Sequence, residues 1–164
     1  MTSAVLMTFA AIMAFADAMD LLTMTIPNRV SIALVAAFAV AAPLMGLAPH
    51  EILSHVGAGL LVLAAAFVLF ALGGFGGGDA KLLAAGALWI GFDNLLLYLV
   101  CVTIFGGILA LAILSYRRMP ARTLPIPDWA LRLHDRNSGI PYGIAIASSA
   151  LLVFPLTPWV VASA

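Results

Sequence analysis

The sequence predicts an all-α membrane protein, a single integral-membrane domain over residues 1–164 folded as a polytopic bundle of about six transmembrane helices with a short, partly immersed fourth helix. Three observations predict it. Apolar residues make up 65% of the chain and charged residues 9%, with a mean hydropathy of +1.18, well beyond the usual composition of water-soluble domains. Apolar runs recur between polar or Gly/Pro-rich breaks, and the basic residues fall only in alternate breaks. Strands are not expected, because the runs lack the alternating polarity of a membrane barrel. The 7 basic and 7 acidic residues balance without a long basic run, so no nucleic-acid partner is expected.

A bilayer core about 30 Å thick takes about 20 residues of helix to cross. The first run covers residues 3–22; residues 1–16 contain no Lys or Arg, so it is read as a retained helix although Ala16-Asp17-Ala18 superficially looks like a signal cleavage site. The second and third runs cover 30–47 and 52–72. The fourth, 79–90, is too short to cross at about 1.5 Å per residue, so it is expected to lie immersed in protein with its first residue below the membrane surface. The fifth covers 95–116, and the last, 140–162, follows a long arginine-rich connection. Pro27, Pro43, Pro49, Pro120, Pro125, Pro127 and Pro141 fall at or near the proposed breaks, where a missing N–H does least harm.

Basic residues accumulate in short cytoplasmic loops. Arg29 follows the first run, Lys81 lies after the third, and Arg117, Arg118, Arg122, Arg132 and Arg136 precede the last; the breaks at 48–51 and 91–94 and both termini carry none. This pattern puts the first, third and fifth connections in the cytoplasm and both termini outside. Asp20 and Asp79 then share the cytoplasmic side.

Acids inside or beside membrane runs are costly, which makes each a functional candidate. Asp20 closes the first run and is followed by Pro27-Asn28, which suit a helix exit. Asp79 ends Gly73-Gly74-Phe75-Gly76-Gly77-Gly78 and opens an apolar helix, where it is a natural N-cap. The glycines let neighbouring backbone, or an extended substrate strand, come close to the acid. Two carboxylates sharing a proton survive at such depth and perform acid–base work. In that pair Asp79, near a helix N-terminus, is expected to be the readier anion, and Asp20, near a helix C-terminus, the proton holder. Asp17, three residues earlier on a similar helix face, is the rival to Asp20. Lys81 either snorkels to lipid headgroups or helps hold the acids.

Asp20 with Pro27-Asn28 downstream, then Gly76-Gly77-Gly78-Asp79-Ala80-Lys81, then Ile140-Pro141-Tyr142-Gly143 resembles the type IV prepilin peptidases, GxGD aspartyl proteases, and in particular their short CpaA/TadV-like branch serving Flp-type pili. The resemblance covers nearly the whole chain. It implies that Asp20 and Asp79 are catalytic, and that Gly76, Gly77, Gly78, Lys81, Pro27, Asn28, Pro141, Tyr142 and Gly143 support the site or bind substrate. It implies a multi-pass protein of the bacterial inner membrane, in contact with lipid, that removes the leader of a prepilin or pseudopilin precursor at the cytoplasmic face. Longer relatives carry an insertion with paired CxxC motifs and also methylate the new pilin N-terminus. With the lone Cys101 and no such insertion, this chain is expected to cleave without N-methyltransferase activity, cofactor or zinc.

Three other readings compete, one of them a noncatalytic membrane subunit, for which paired acids beside a glycine loop would need another explanation. A presenilin-like protease also uses a GxGD acid, but no Pro-Ala-Leu motif occurs in the last third. A proton-coupled transporter using the same acids would be favoured by inverted repeats, which the sequence lacks. His50, Glu51 and His55 lie on the proposed outer side without further ligands and are read as an interfacial loop, and Asp93-Asn94 as a turn or cap. Met7, Met13, Met19 and Met24 are read as packing residues, and the five arginines as topological anchors meeting anionic lipid, with pilin docking as the lesser alternative.

Overall fold

Backbone amides in hydrocarbon have no water to bond, so each segment must satisfy its own, and a helix does so locally. The computed structural model describes residues 2–118, 127–135 and 138–161, and among these it contains helices and turns but no strand. In chain order the helices are α1 (Thr2–Thr23), α2 (Asn28–Leu44), α3 (Pro49–Ala71), α4 (Gly77–Ile90), α5 (Phe92–Tyr116), α6 (Asp128–His134), α7 (Tyr142–Val153) and, after a 3-10 turn at Phe154–Leu156, α8 (Pro158–Val161). Pro120, Arg122, Pro125, Arg136 and the end of the last expected run at Ala162 lie outside the described residues.

Helices α1, α3 and α5 are long and apolar enough to cross a membrane, and α2 and α7 are shorter apolar helices. The outward faces are apolar too, with Leu72 and Leu96 each 77% exposed, as suits a bundle whose solvent is lipid.

Several boundaries differ from the expectation. The break at 48–51 is mostly helix: Pro49 is the first residue of α3, and Glu51 accepts the N–H of Ala48 at 2.6 Å. His50, Glu51 and His55 therefore belong to α3 and do not form an interfacial loop. The break at 91–94 shrinks to Gly91, whose φ of 75° lets the chain turn within one residue. Asp93 and Asn94 consequently fall in the first turn of α5. Pro43 lies in the last turn of α2, not in a break. The final run divides, because Pro155 and Pro158 interrupt it and Thr157 bonds the Phe154 carbonyl at 2.6 Å. Helix α6, in the arginine-rich connection, was not foreseen.

Helix α4 is the centre of the bundle. Its 14 residues extend about 21 Å, and Leu82 to Ile90 are all buried, packed among α2, α3, α5 and α7. A helix that stops inside protein leaves its last carbonyls without partners. Here donors reach three of the last four: Gly91 N–H bonds the Ala87 carbonyl at 2.9 Å, His55 Nδ1 the Leu88 carbonyl at 2.8 Å, and Trp159 Nε1 the Trp89 carbonyl at 2.8 Å. Trp89 Nε1 in turn bonds the Leu34 carbonyl at 2.9 Å. Phe9, Phe38, His55, Trp89, Phe154 and Trp159 form one aromatic cluster around this end.

Candidate active site

The C-terminus of α1 and the N-termini of α2, α4 and α7 supply the residues around the two acids. Asp20 lies in the last turn of α1 and is buried, 4% exposed. Past it the helix unwinds: Met24 N–H still bonds the Asp20 carbonyl at 2.8 Å, Met24 takes a left-handed φ of 55°, and Thr23 Oγ1 donates to the Met19 carbonyl at 2.7 Å. Thr25 and Ile26 then run beside the acid, and Pro27 caps α2 in an extended conformation. Met24, read from sequence as a packing residue, is thus a turn residue at the site.

Asp79 is not the N-cap of α4. That position belongs to Gly76, and Asp79 is the third helical residue, with no capping bond from its side chain. Its carboxylate folds back over Gly76, where an added Cβ would sit 2.5 Å from Asp79 Oδ2. Gly78 packs on Ile26 with similar closeness, a Cβ there lying 3.2 Å from Ile26 Cβ. Glycine at these positions thus gives the carboxylate and the neighbouring chain their places.

Asp20 and Asp79 line one cavity of about 560 Å³, a volume within the range of roughly 300–1,000 Å³ common for ligand clefts. The remaining wall is Met24, Thr25, Ile26, the glycine loop from Gly73 to Gly78 with Phe75, and Gly139, Ile140 and Tyr142. Phe75 and Tyr142 face each other with ring centroids 6.4 Å apart.

Of the residues expected at the site, Asp20, Gly76, Gly77, Gly78, Asp79 and Tyr142 line the cavity. Gly143 stands behind it and donates its N–H to Asp20 Oδ2 at 2.7 Å. Pro141 is buried as the N-cap of α7 and presents this turn. Lys81 turns away from the acids and donates to Asn28 Oδ1 at 2.8 Å, tying the start of α4 to the start of α2. Asp17 is half-buried one turn before Asp20, outside the cavity wall, with its charge still acting on Asp20. Sequence reasoning gave no site role to Ile26, Phe75, Gly139 or Ile140. Ile26, Phe75 and Ile140 were legible as neighbours of Pro27, of the glycines and of Pro141-Tyr142-Gly143, whereas nothing in the sequence marks Gly139.

The Gly143 bond bears on which of the two acids is expected to hold a proton. The expectation that Asp20 holds it rested on each acid's own helix, and the structure brings the N-terminus of a second helix, α7, to Asp20. Asp20 thus has a backbone donor from the start of α7 that its own helix does not supply.

These features define a class: an all-helical membrane-type bundle with two carboxylates from separate helices in one cleft. The chain belongs to the type IV leader peptidase family, whose profile matches residues 5–111, a stretch that includes both Asp20 and Asp79. Comparison with curated proteins and with solved structures gives no match.

Proposed function

We propose that the chain is a membrane aspartyl endopeptidase that removes the leader of Flp-type prepilins at the cytoplasmic face of the inner membrane. One observation carries this reading within the family: Asp20 and Asp79, 59 positions apart in the chain, enter the same cleft. The pair shares one proton. The ionised carboxylate takes a proton from water as it attacks the scissile carbonyl, and the protonated one gives its proton to the carbonyl oxygen; as the tetrahedral intermediate collapses, the acid that took water's proton passes it to the departing pilin amine, the other acid regains its proton from the gem-diol, and the leader leaves as a carboxylic acid. Six membrane segments, α1 to α5 and the segment beginning with α7, keep both termini outside and the cleft on the cytoplasmic side. The cleaved pilin keeps a free, unmethylated N-terminus.

Co-expression with prepilin precursors tests this. The intact chain should yield a shortened pilin whose new N-terminus and mass identify the cut and the missing methyl group. Asp20→Asn and Asp79→Asn should each lower cleavage at least about 1,000-fold while still inserting in the membrane. Appreciable cleavage by either variant would rule out the paired-acid mechanism.

A further inference from the structure

Arg117 follows the last residue of α5, where positive charge alone suffices to explain it as a topological anchor. Its bonds are more specific than that role needs. Nε donates to the Leu133 carbonyl at 2.8 Å, and Nη2 to the Ser138 carbonyl at 2.7 Å and the Gly139 carbonyl at 2.9 Å, with Ser138 Oγ at 3.3 Å. Ser138 Oγ itself donates to the Asp135 carbonyl at 2.8 Å. One planar guanidinium thus gathers the end of α6 and the chain leading into α7, while Tyr116 holds α6 through a bond from its hydroxyl to the Ala130 carbonyl at 3.3 Å. The gathered chain is part of the cleft: Gly139 and Ile140 line it, and Gly143, three residues beyond Ile140, donates to Asp20.

We propose that Arg117 is a positioning residue of the proteolytic site, fastening residues 138–140 as one wall of the substrate cleft and setting the start of α7 against Asp20. This rests on the protease reading above. A fork that spans three carbonyls cannot be replaced by an ammonium, which is a single point of charge. Arg117→Lys therefore preserves the charge that orients the chain and removes the fastening.

The test is steady-state cleavage, in detergent or liposomes, of a precursor that the intact chain processes, comparing Arg117→Lys, Ser138→Ala and, as a control, Arg118→Lys at the exposed neighbouring position. Loss of the wall should raise KM about tenfold in Arg117→Lys, the equivalent of one lost hydrogen bond of substrate alignment, and raise it in the same direction but less in Ser138→Ala. The control should match the intact enzyme, and the thermal midpoint of Arg117→Lys should stay close to it. Unchanged KM in both wall variants overturns the proposal. A lower rate at constant KM with a lowered midpoint also overturns it, since a smaller folded fraction reduces kcat without touching KM. If Arg117→Lys fails to fold, Ser138→Ala decides alone. An intact chain that cleaves no precursor would instead defeat the protease reading itself, a result distinct from cleavage that ignores Arg117.

Discussion

At Gly143, an added Cβ would lie 2.7 Å from Asp20 Oδ2 and 2.9 Å from Asp20 Cβ. The absent side chain is what lets the α7 backbone reach the acid, so the requirement is one of space. Gly143→Ala should push the carboxylate off its N–H donor and lower kcat by about 100-fold, the scale of a misplacement near 1 Å, with membrane insertion and folding retained; full activity in that variant would show that the bond to Asp20 is dispensable. Gly76→Ala tests the other acid in the same way, since its methyl would occupy the seat of the Asp79 carboxylate. Legibility differed between the two glycines. The cluster around Gly76 drew notice by composition, but the contact of Gly143 with an acid 123 positions away exists only once α1 and α7 are packed.

Helices inherit their positions from what satisfies their ends, and α4 is the clearest case. Its N-terminus is tied to α2 by Lys81 and Asn28, and its buried C-terminus is tied to α3 and α8 by His55 and Trp159. A Lys81→Met and Asn28→Ala double-mutant cycle, read by thermal unfolding in detergent, should give a coupling of about 0.5–1 kcal/mol, as fits a bond at the exposed edge of the bundle. His55→Phe keeps an aromatic ring in the cluster but leaves the Leu88 carbonyl bare, and should cost about 1–3 kcal/mol. Trp159→Phe bares the Trp89 carbonyl and should cost a similar amount. Equal stability of these variants would mean the carbonyls find other donors. From the sequence, α4 was legible as a short apolar helix that could not cross a bilayer unaided. The donors for its last carbonyls were not, because a lone histidine in α3 and a tryptophan in α8 carry no local sign of the helix they complete.

For the molecule as a whole, the proposed orientation rests on charge placed at one end of the bundle. Arg29 starts α2, Lys81 lies near the start of α4, and Arg117 and Arg118 follow α5, so the basic residues gather at the end that holds the cleft. In a Cys101→Ala background, Arg118→Cys should react with a membrane-impermeant maleimide only from the cytoplasmic side, and Glu51→Cys only from the outside. Labelling of both from one side would overturn the topology and the placing of proteolysis in the cytoplasm.

The sequence by itself determined the apolar solvent and helical class of this protein and marked the approximate segments and the two acids as candidates, since apolar run length, charge segregation and costly carboxylates are properties of composition and order along one chain. Tertiary structure alone decided that Asp79 is the third residue of its helix, that Gly143 and not a side chain serves Asp20, that Lys81 binds Asn28, and that Arg117 gathers the wall of the cleft. The last three are contacts of a few ångströms between residues on different elements. Such contacts depend on how helices rotate and approach one another, and the pattern along the chain fixes which faces are apolar without fixing which atoms meet.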